Sequence, residues 1–270
     1  MMKKYILITG IILVALVMNL SSCNKDFTTK SPYSTLDGTS MLRIMDLSPN
    51  FRNIFSLPDS FNVFINNNLI TGYTPSGTLL MTYGSAFPTA SSGWGYISIP
   101  PGIQQIRLSV RSANNPDSIT ITSFTKVIQP NSYYSFIITD SINSTRDSSQ
   151  MFFRDSTLAG PPTQGYFNLR FIHAVLNDTV GKNIDIWSTR TNRNIFANVK
   201  PGQITTFSQW AFNALLTDTL YVRRAGTAIT LATLNSQTFN NQRTYTLYYR
   251  GDGNLTTGTK ARTLSVYVNQ

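Results

Sequence analysis

The chain has 270 residues and a formal charge of +10, yet only 13% of its residues are charged. The 14 arginines are scattered. That excludes the clustered basic and aromatic surface a nucleic-acid partner needs. All 12 acidic residues are Asp, with one His and one Cys beside them; general-acid chemistry on Glu, zinc binding by a Cys/His set and disulfide stapling are all excluded.

Residues 1–22 read as a signal peptide. Lys3 and Lys4 form a positive start, Tyr5 to Val17 an apolar run broken by Thr9 and Gly10, and Leu20-Ser21-Ser22 a small-residue stretch before Cys23. The run is shorter than the roughly 20 apolar residues of a spanning helix. Leu20-Ser21-Ser22-Cys23 resembles the bacterial lipoprotein signal. The resemblance implies a lipid on the Cys23 thiol, cleavage before it, and anchoring in a membrane. Ordinary cleavage that leaves a spare cysteine is the alternative. Each buried methylene of an acyl chain contributes about 0.8 kcal/mol, so two or three chains hold a protein without a spanning helix.

Residues 23–39 are polar and aperiodic, a tether. From Asn24 to Thr39, at about 3.3 Å per residue, it could reach about 50 Å. From Met41 the pattern is that of short strands. Phe61 to Ile65 meets the turn cluster Asn66-Asn67-Asn68. Tyr96 to Ile99 stops at Pro100-Pro101-Gly102. Ile106 to Arg111 alternates apolar and polar residues, Ser112 to Asp117 reads as a turn, and Ile119 to Thr122 alternates again. Tyr134 to Ile138 and Met151-Phe152-Phe153 complete a first set over residues 40–159.

Residues 160–165, Gly-Pro-Pro-Thr-Gln-Gly, read as a linker. A second set then repeats the first over residues 166–270. Leu42-Arg43-Ile44-Met45 returns as Leu169-Arg170-Phe171-Ile172, and Phe61 to Phe64 as Ile184 to Trp187. Leu108 to Arg111 returns as Leu220 to Arg223, Ile119-Thr120 as Ile229-Thr230, Tyr134 to Ile138 as Tyr245 to Tyr249, and the closing strand as Leu264 to Val268. Matches in one order indicate tandem domains. Leu169-Arg170-Phe171-Ile172-His173-Ala174, with Asn183-Ile184-Asp185-Ile186-Trp187 after it, resembles the opening of the bacterial domain of unknown function 4397. Pro100-Pro101-Gly102 before a strand is similar too. The first copy departs at Asp46, where the second has His173; the second lacks the Pro-Gly pair before Leu220. The resemblance implies an exported all-β protein of two tandem immunoglobulin-like or transthyretin-like β-sandwich domains. It implies no activity.

His173, between Ile172 and Ala174, is expected to be structural. Asp252-Gly253-Asn254 is expected to be a hairpin turn rather than a calcium loop. Trp187 is expected in the core. Trp94 and Trp210, near strand–loop junctions, are the candidate ligand-binding aromatics. Five Asp-Ser or Asp-Thr steps put Ser118, Ser141, Ser156, Thr179 and Thr219 in a pattern that resembles the O-glycosylation motif of exported Bacteroidetes proteins; Asp-Ser and Asp-Thr are also common turn-to-strand steps. No cofactor and no metal are implied. The expectation is a non-catalytic binding or adhesion module for a glycan or a protein, lipid-anchored at the outer membrane of a Bacteroidetes-like cell. The alternative is a structural or assembly subunit of an envelope complex.

Overall fold

The computed structural model describes residues 38–49, 60–71, 73–74, 77–78, 81–88, 95–112, 115–139, 150–155, 161–178, 183–213 and 216–269. Among them every regular element is a strand. The chain is all-β, as the shortage of helix formers and the alternating segments predict.

The first half contains β1 (Ser40–Asp46), β2 (Ser60–Ile65), β3 (Asn68–Leu69), β4 (Tyr73–Thr74), β5 (Gly77–Thr78), β6 (Met81–Thr82) and β7 (Ala86–Phe87). It continues with β8 (Ile97–Ile99), β9 (Gly102–Ser112), β10 (Asn115–Ile128), β11 (Tyr133–Ile138) and β12 (Met151–Arg154). The second half contains β13 (Tyr166–His173), β14 (Ile184–Ser188), β15 (Arg193–Val199), β16 (Ser208–Ala211), β17 (Asp218–Arg224), β18 (Thr230–Gln237), β19 (Thr244–Arg250) and β20 (Thr263–Val268).

Each half contains two facing sheets, and β4-β5 in the first half form a separate two-stranded sheet. In the first, β12-β11-β1-β7, with β8 also on β1, faces β10-β9-β2-β3, with β6 also on β2. In the second, β16-β13-β19-β20 faces β15-β14-β17-β18. Leu42, Ile44, Phe61, Val63, Leu108 and Phe136 fill the first interior. Leu169, Phe171, Ile186, Val222, Leu247 and Tyr249 fill the second. Full burial of such a side chain contributes about 1.5–3 kcal/mol.

The internal repeat is visible in the strand pairing. Leu42 pairs with Tyr134 across the parallel β1–β11 ladder, and Leu169 with Tyr245 across the parallel β13–β19 ladder. Phe136 opposes Phe152 where Leu247 opposes Val266. One match needs correction. With Val63 set on Ile186, pairing puts Leu108 on Val222, two residues from Leu220. A two-residue shift keeps the same side chains inward, so periodicity alone could not see it.

One loop differs from expectation, and another, the Asn66-Asn67 turn, agrees with it. Asn115–Asp117 are already strand, because β10 continues almost to its partner, with Asn115 paired to Ser112. Asn66 and Asn67 have φ of 48° and 65°, the left-handed pair a tight hairpin turn requires.

The halves share an interior. Along β1, Leu42 and Ile44 point to the first core, while Arg43 and Met45 point the other way and are equally buried. Met45, Leu47 and Ile137 of the first half pack with Ile172, Ala174, Tyr248 and Tyr267 of the second. The inner sheets thus lie face to face, and four sheets stack in sequence. Further ties cross the same junction: Lys260 Nζ donates to Pro49 O at 2.7 Å, Tyr267 Oη to Pro88 O at 3.2 Å, and Arg250 lies 4.8 Å over the Tyr83 ring.

Candidate functional site

A ring of polar side chains runs through the junction. Arg43 on β1 donates from Nη2 to Ser135 Oγ (2.8 Å) and from Nη1 to Asn269 Oδ1 (2.7 Å). Ser135 Oγ donates to Asp155 Oδ2 at 2.6 Å. Asp155 Oδ1 accepts from Arg170 Nη1 in an ion pair. Arg170 Nε donates to Thr246 Oγ1 (2.9 Å), and Thr246 Oγ1 donates to Asn269 Oδ1 (2.9 Å). The chain of contacts closes on itself, and all six residues are buried.

The ring has approximate two-fold symmetry, and it follows the sequence repeat. Arg43 matches Arg170, Ser135 matches Thr246, and Asp155 matches Asn269. Asp155 and Asn269 each follow the last strand of their half, and each backbone N–H is held at 2.7 Å, by Tyr133 O and Thr244 O respectively. Arg43 lies over Tyr96 and Tyr267, at 5.2 and 4.5 Å; Arg170 lies over Phe207 and Phe153, at 4.4 and 5.1 Å. Each guanidinium thus sits between an aromatic of its own half and one of the other. Such stacking is favourable and suits a weakly hydrated planar cation.

The symmetry breaks at two places. Tyr96 has a hydroxyl that Phe207 lacks, and it donates to Asp155 Oδ2 at 2.8 Å. Burial, and then the Asp155 carboxylate, push the Tyr96 phenol far above its ordinary range, against the pull of Arg43. On the Arg170 side a cleft of about 230 Å³ reaches the ring. Phe153, Arg154, Asp155, Arg170, Ile204, Thr205, Thr206 and Phe207 line it. Arg154 and Thr206 are exposed. These lining residues offer hydrogen-bond donors on apolar walls. Both Asp155 oxygens are already engaged.

The other candidates fall elsewhere. Cys23, Trp94, Ser141, Ser156 and Thr179 lie outside the described residues. Ser118 is on β10. Trp210 is half-buried on β16; its Nε1 donates to Ser208 Oγ at 2.8 Å and Arg193 lies 5.4 Å over the ring. Trp187, expected in the core, turns outward. Ile184 and Ile186 take the inward positions of β14, so Trp187 is half-buried on the outer face with Arg223 4.4 Å over it.

Thr219 is half-buried, its N–H held by Thr189 Oγ1 at 3.2 Å. Asp218 before it is buried and accepts from Ser188 Oγ, Thr189 Oγ1 and the Arg190 N–H. Asp155, Asp178 and Asp218, from three of the five Asp-Ser/Thr steps, are all buried. Their structural work accounts for an aspartate at those positions.

His173 is fully buried and stacks edge-on against Tyr249 at 5.3 Å. Burial lowers its pKa to about 4, with Asp178 acting in the opposite direction. Asp252 Oδ1 accepts from Asn177 Nδ2 and the Asn254 N–H, closing a turn.

The sequence carried one signal for the ring. An arginine stands among apolar residues at the same place in both copies, at Arg43 and Arg170. On a two-sidedly buried strand such a residue needs acceptors.

No family model matches the chain, and no curated protein does. Among solved structures, the chain is similar to a family 26 carbohydrate-binding module from Eubacterium rectale Amy13K in complex with maltoheptaose. The identity is 12% over 84% of this chain and 96% of that one, with a TM-score of 0.22. It is also similar to a candidate adhesin from Bacteroides ovatus, 11% identical over 77% of this chain and 88% of that one, with a TM-score of 0.19. A candidate cell adhesion protein from Bacteroides fragilis is 9% identical over 85% and 98%, with a TM-score of 0.18.

Proposed function

We propose that this chain is a non-catalytic binding module of the cell envelope, held at the outer membrane by a lipid on Cys23. The tether after Cys23 gives the module reach, and both halves are copies of a domain that resembles the domain of unknown function 4397. The observation that carries the reading is the cleft over the Arg43–Asp155–Arg170 ring. A site meant for recognition needs donors fixed before the ligand arrives. Here they are fixed by a closed network beneath a small cavity. The only histidine is shut inside the second half at His173, away from a role as a surface base.

Glycan arrays probed with the purified protein, and with Trp94→Ala and Trp210→Ala variants, test the reading. Saturable binding to a glycan or an envelope protein supports it. Hydrolysis of a bound compound would overturn it. Intact mass of protein from the native host tests the modifications: a lipid on Cys23 is expected, and glycan mass at Ser118, Ser141, Ser156, Thr179 or Thr219 would add the second.

One observation favours the assembly reading. Ile103 and Val127 are cross-strand partners on β9 and β10, and they are 72% and 61% exposed. β10 is a long strand at the edge of its sheet. An exposed edge with apolar residues is a place where another chain can pair. Co-purification of an envelope protein that is lost on Val127→Lys would select that reading.

A further inference from the structure

The buried ring has an unequal charge. It holds two guanidinium groups, on Arg43 and Arg170, and one carboxylate, on Asp155. By the two-fold match a second acid would stand at position 269, but the residue is the neutral Asn269. Arginine stays charged in proteins, so the ring carries a formal +1 within the fold.

Each arginine leaves one buried nitrogen without a protein acceptor. Arg43 places both Nη atoms on acceptors and leaves Nε. Arg170 places Nε and Nη1, and its buried Nη2 has no protein acceptor. The cleft lies on the Arg170 side, and Arg154 adds a second, exposed cation to its lining. A buried donor without an acceptor is destabilising, and an incoming acceptor would recover that loss.

We propose that this cleft takes a single carboxylate group carried on a sugar ring, that is, a uronic acid. This rests on the binding-module reading above and names its ligand class. The carboxylate balances the ring and accepts charge-assisted hydrogen bonds from Arg170 Nη2 and from Arg154. Phe207, half-buried 4.4 Å over the guanidinium, is the side chain that turns to admit it. Ile204, Phe207 and the Thr205 and Thr206 side chains form the remaining wall, apolar surface with hydroxyls, which suits the mixed faces of a sugar. The small volume suits one ring rather than a long segment of peptide.

Calorimetric titration of the purified protein with D-galacturonate, neutral D-galactose and a short peptide with a free C-terminal carboxylate tests this. Galacturonate is expected to bind saturably, about tenfold or more tighter than galactose, and to weaken as salt is raised. Arg154→Gln, outside the buried ring, is expected to fold as the parent does and to lose about tenfold in galacturonate affinity. Arg170→Lys, checked for folding by thermal unfolding, is expected to lose more. Should Arg170→Lys not fold, the Arg154→Gln titration decides alone. Equal binding of galactose, unchanged affinity in Arg154→Gln, or tighter binding of the peptide overturns the proposal. A neutral glycan bound on the array with no galacturonate bound here overturns the carboxylate and leaves the binding module standing.

Discussion

Arg43 and Arg170 occupy the same position in the two halves, and each reaches across the junction to the residue that follows the other half's last strand. Arg43 meets Asn269 and Arg170 meets Asp155. The halves therefore hold each other reciprocally, as two subunits would across a two-fold axis.

Asp155 is the most heavily used acceptor in the ring, taking bonds from Arg170, Ser135 and Tyr96. Asp155→Asn leaves Arg170 buried without its counter-charge. The expected loss is about 3–5 kcal/mol in denaturant unfolding. Asn269→Asp adds a second carboxylate beside Arg43, and it is expected to restore part of that stability in the Asp155→Asn background. If the two changes simply add, the residues do not act as one network.

Gly95 has its place because of the other half. A Cβ there would lie 2.8 Å from Tyr267 Cε1 and 2.9 Å from Tyr267 Oη. Tyr267 is pinned under Arg43 and bonded to Pro88 O, so it has little room to yield. Gly95→Ala is expected to cost about 1–3 kcal/mol. Adding Tyr267→Leu should recover much of the loss, and a thermal-shift double-mutant cycle reads the coupling.

His173 gives the fold a pH dependence. Its pKa falls from 6.5 to about 4 on folding, first through burial, with Asp178 opposing. The unfolded chain therefore binds the proton more readily. Stability from this group is complete above pH 6.5, is lost as pH falls from 6.5 to 4, and changes no further below 4. The loss is on the order of 3 kcal/mol. His173→Gln should flatten that part of the curve in denaturant titrations; an unchanged slope would place the dependence on another group.

The first copy has Asp46 where the second has His173, which shows how far the repeat can be read. The all-β character was legible, because apolar alternation and turn residues are local; the parallel β1–β11 and β13–β19 pairings were not, because they join segments far apart in the chain. The short strands β3 to β7, and β15 and β16, were not, since segments of two to seven residues carry little period. Trp187 continues an alternating strand, and period two puts it on the face opposite Ile186, outside the core. The ring was half visible. Arg43 and Arg170 stand out among apolar neighbours, but Ser135, Asp155 and Asn269 look like ordinary strand and turn residues until the halves are brought together.

Scanning calorimetry of the full chain, with the calorimetric enthalpy set against the van't Hoff enthalpy, tests the interlocked halves most directly. One transition with an enthalpy ratio near one is predicted, and Asp155→Asn should lower it as a whole. Two resolved transitions, one of them unmoved by Asp155→Asn, would contradict it.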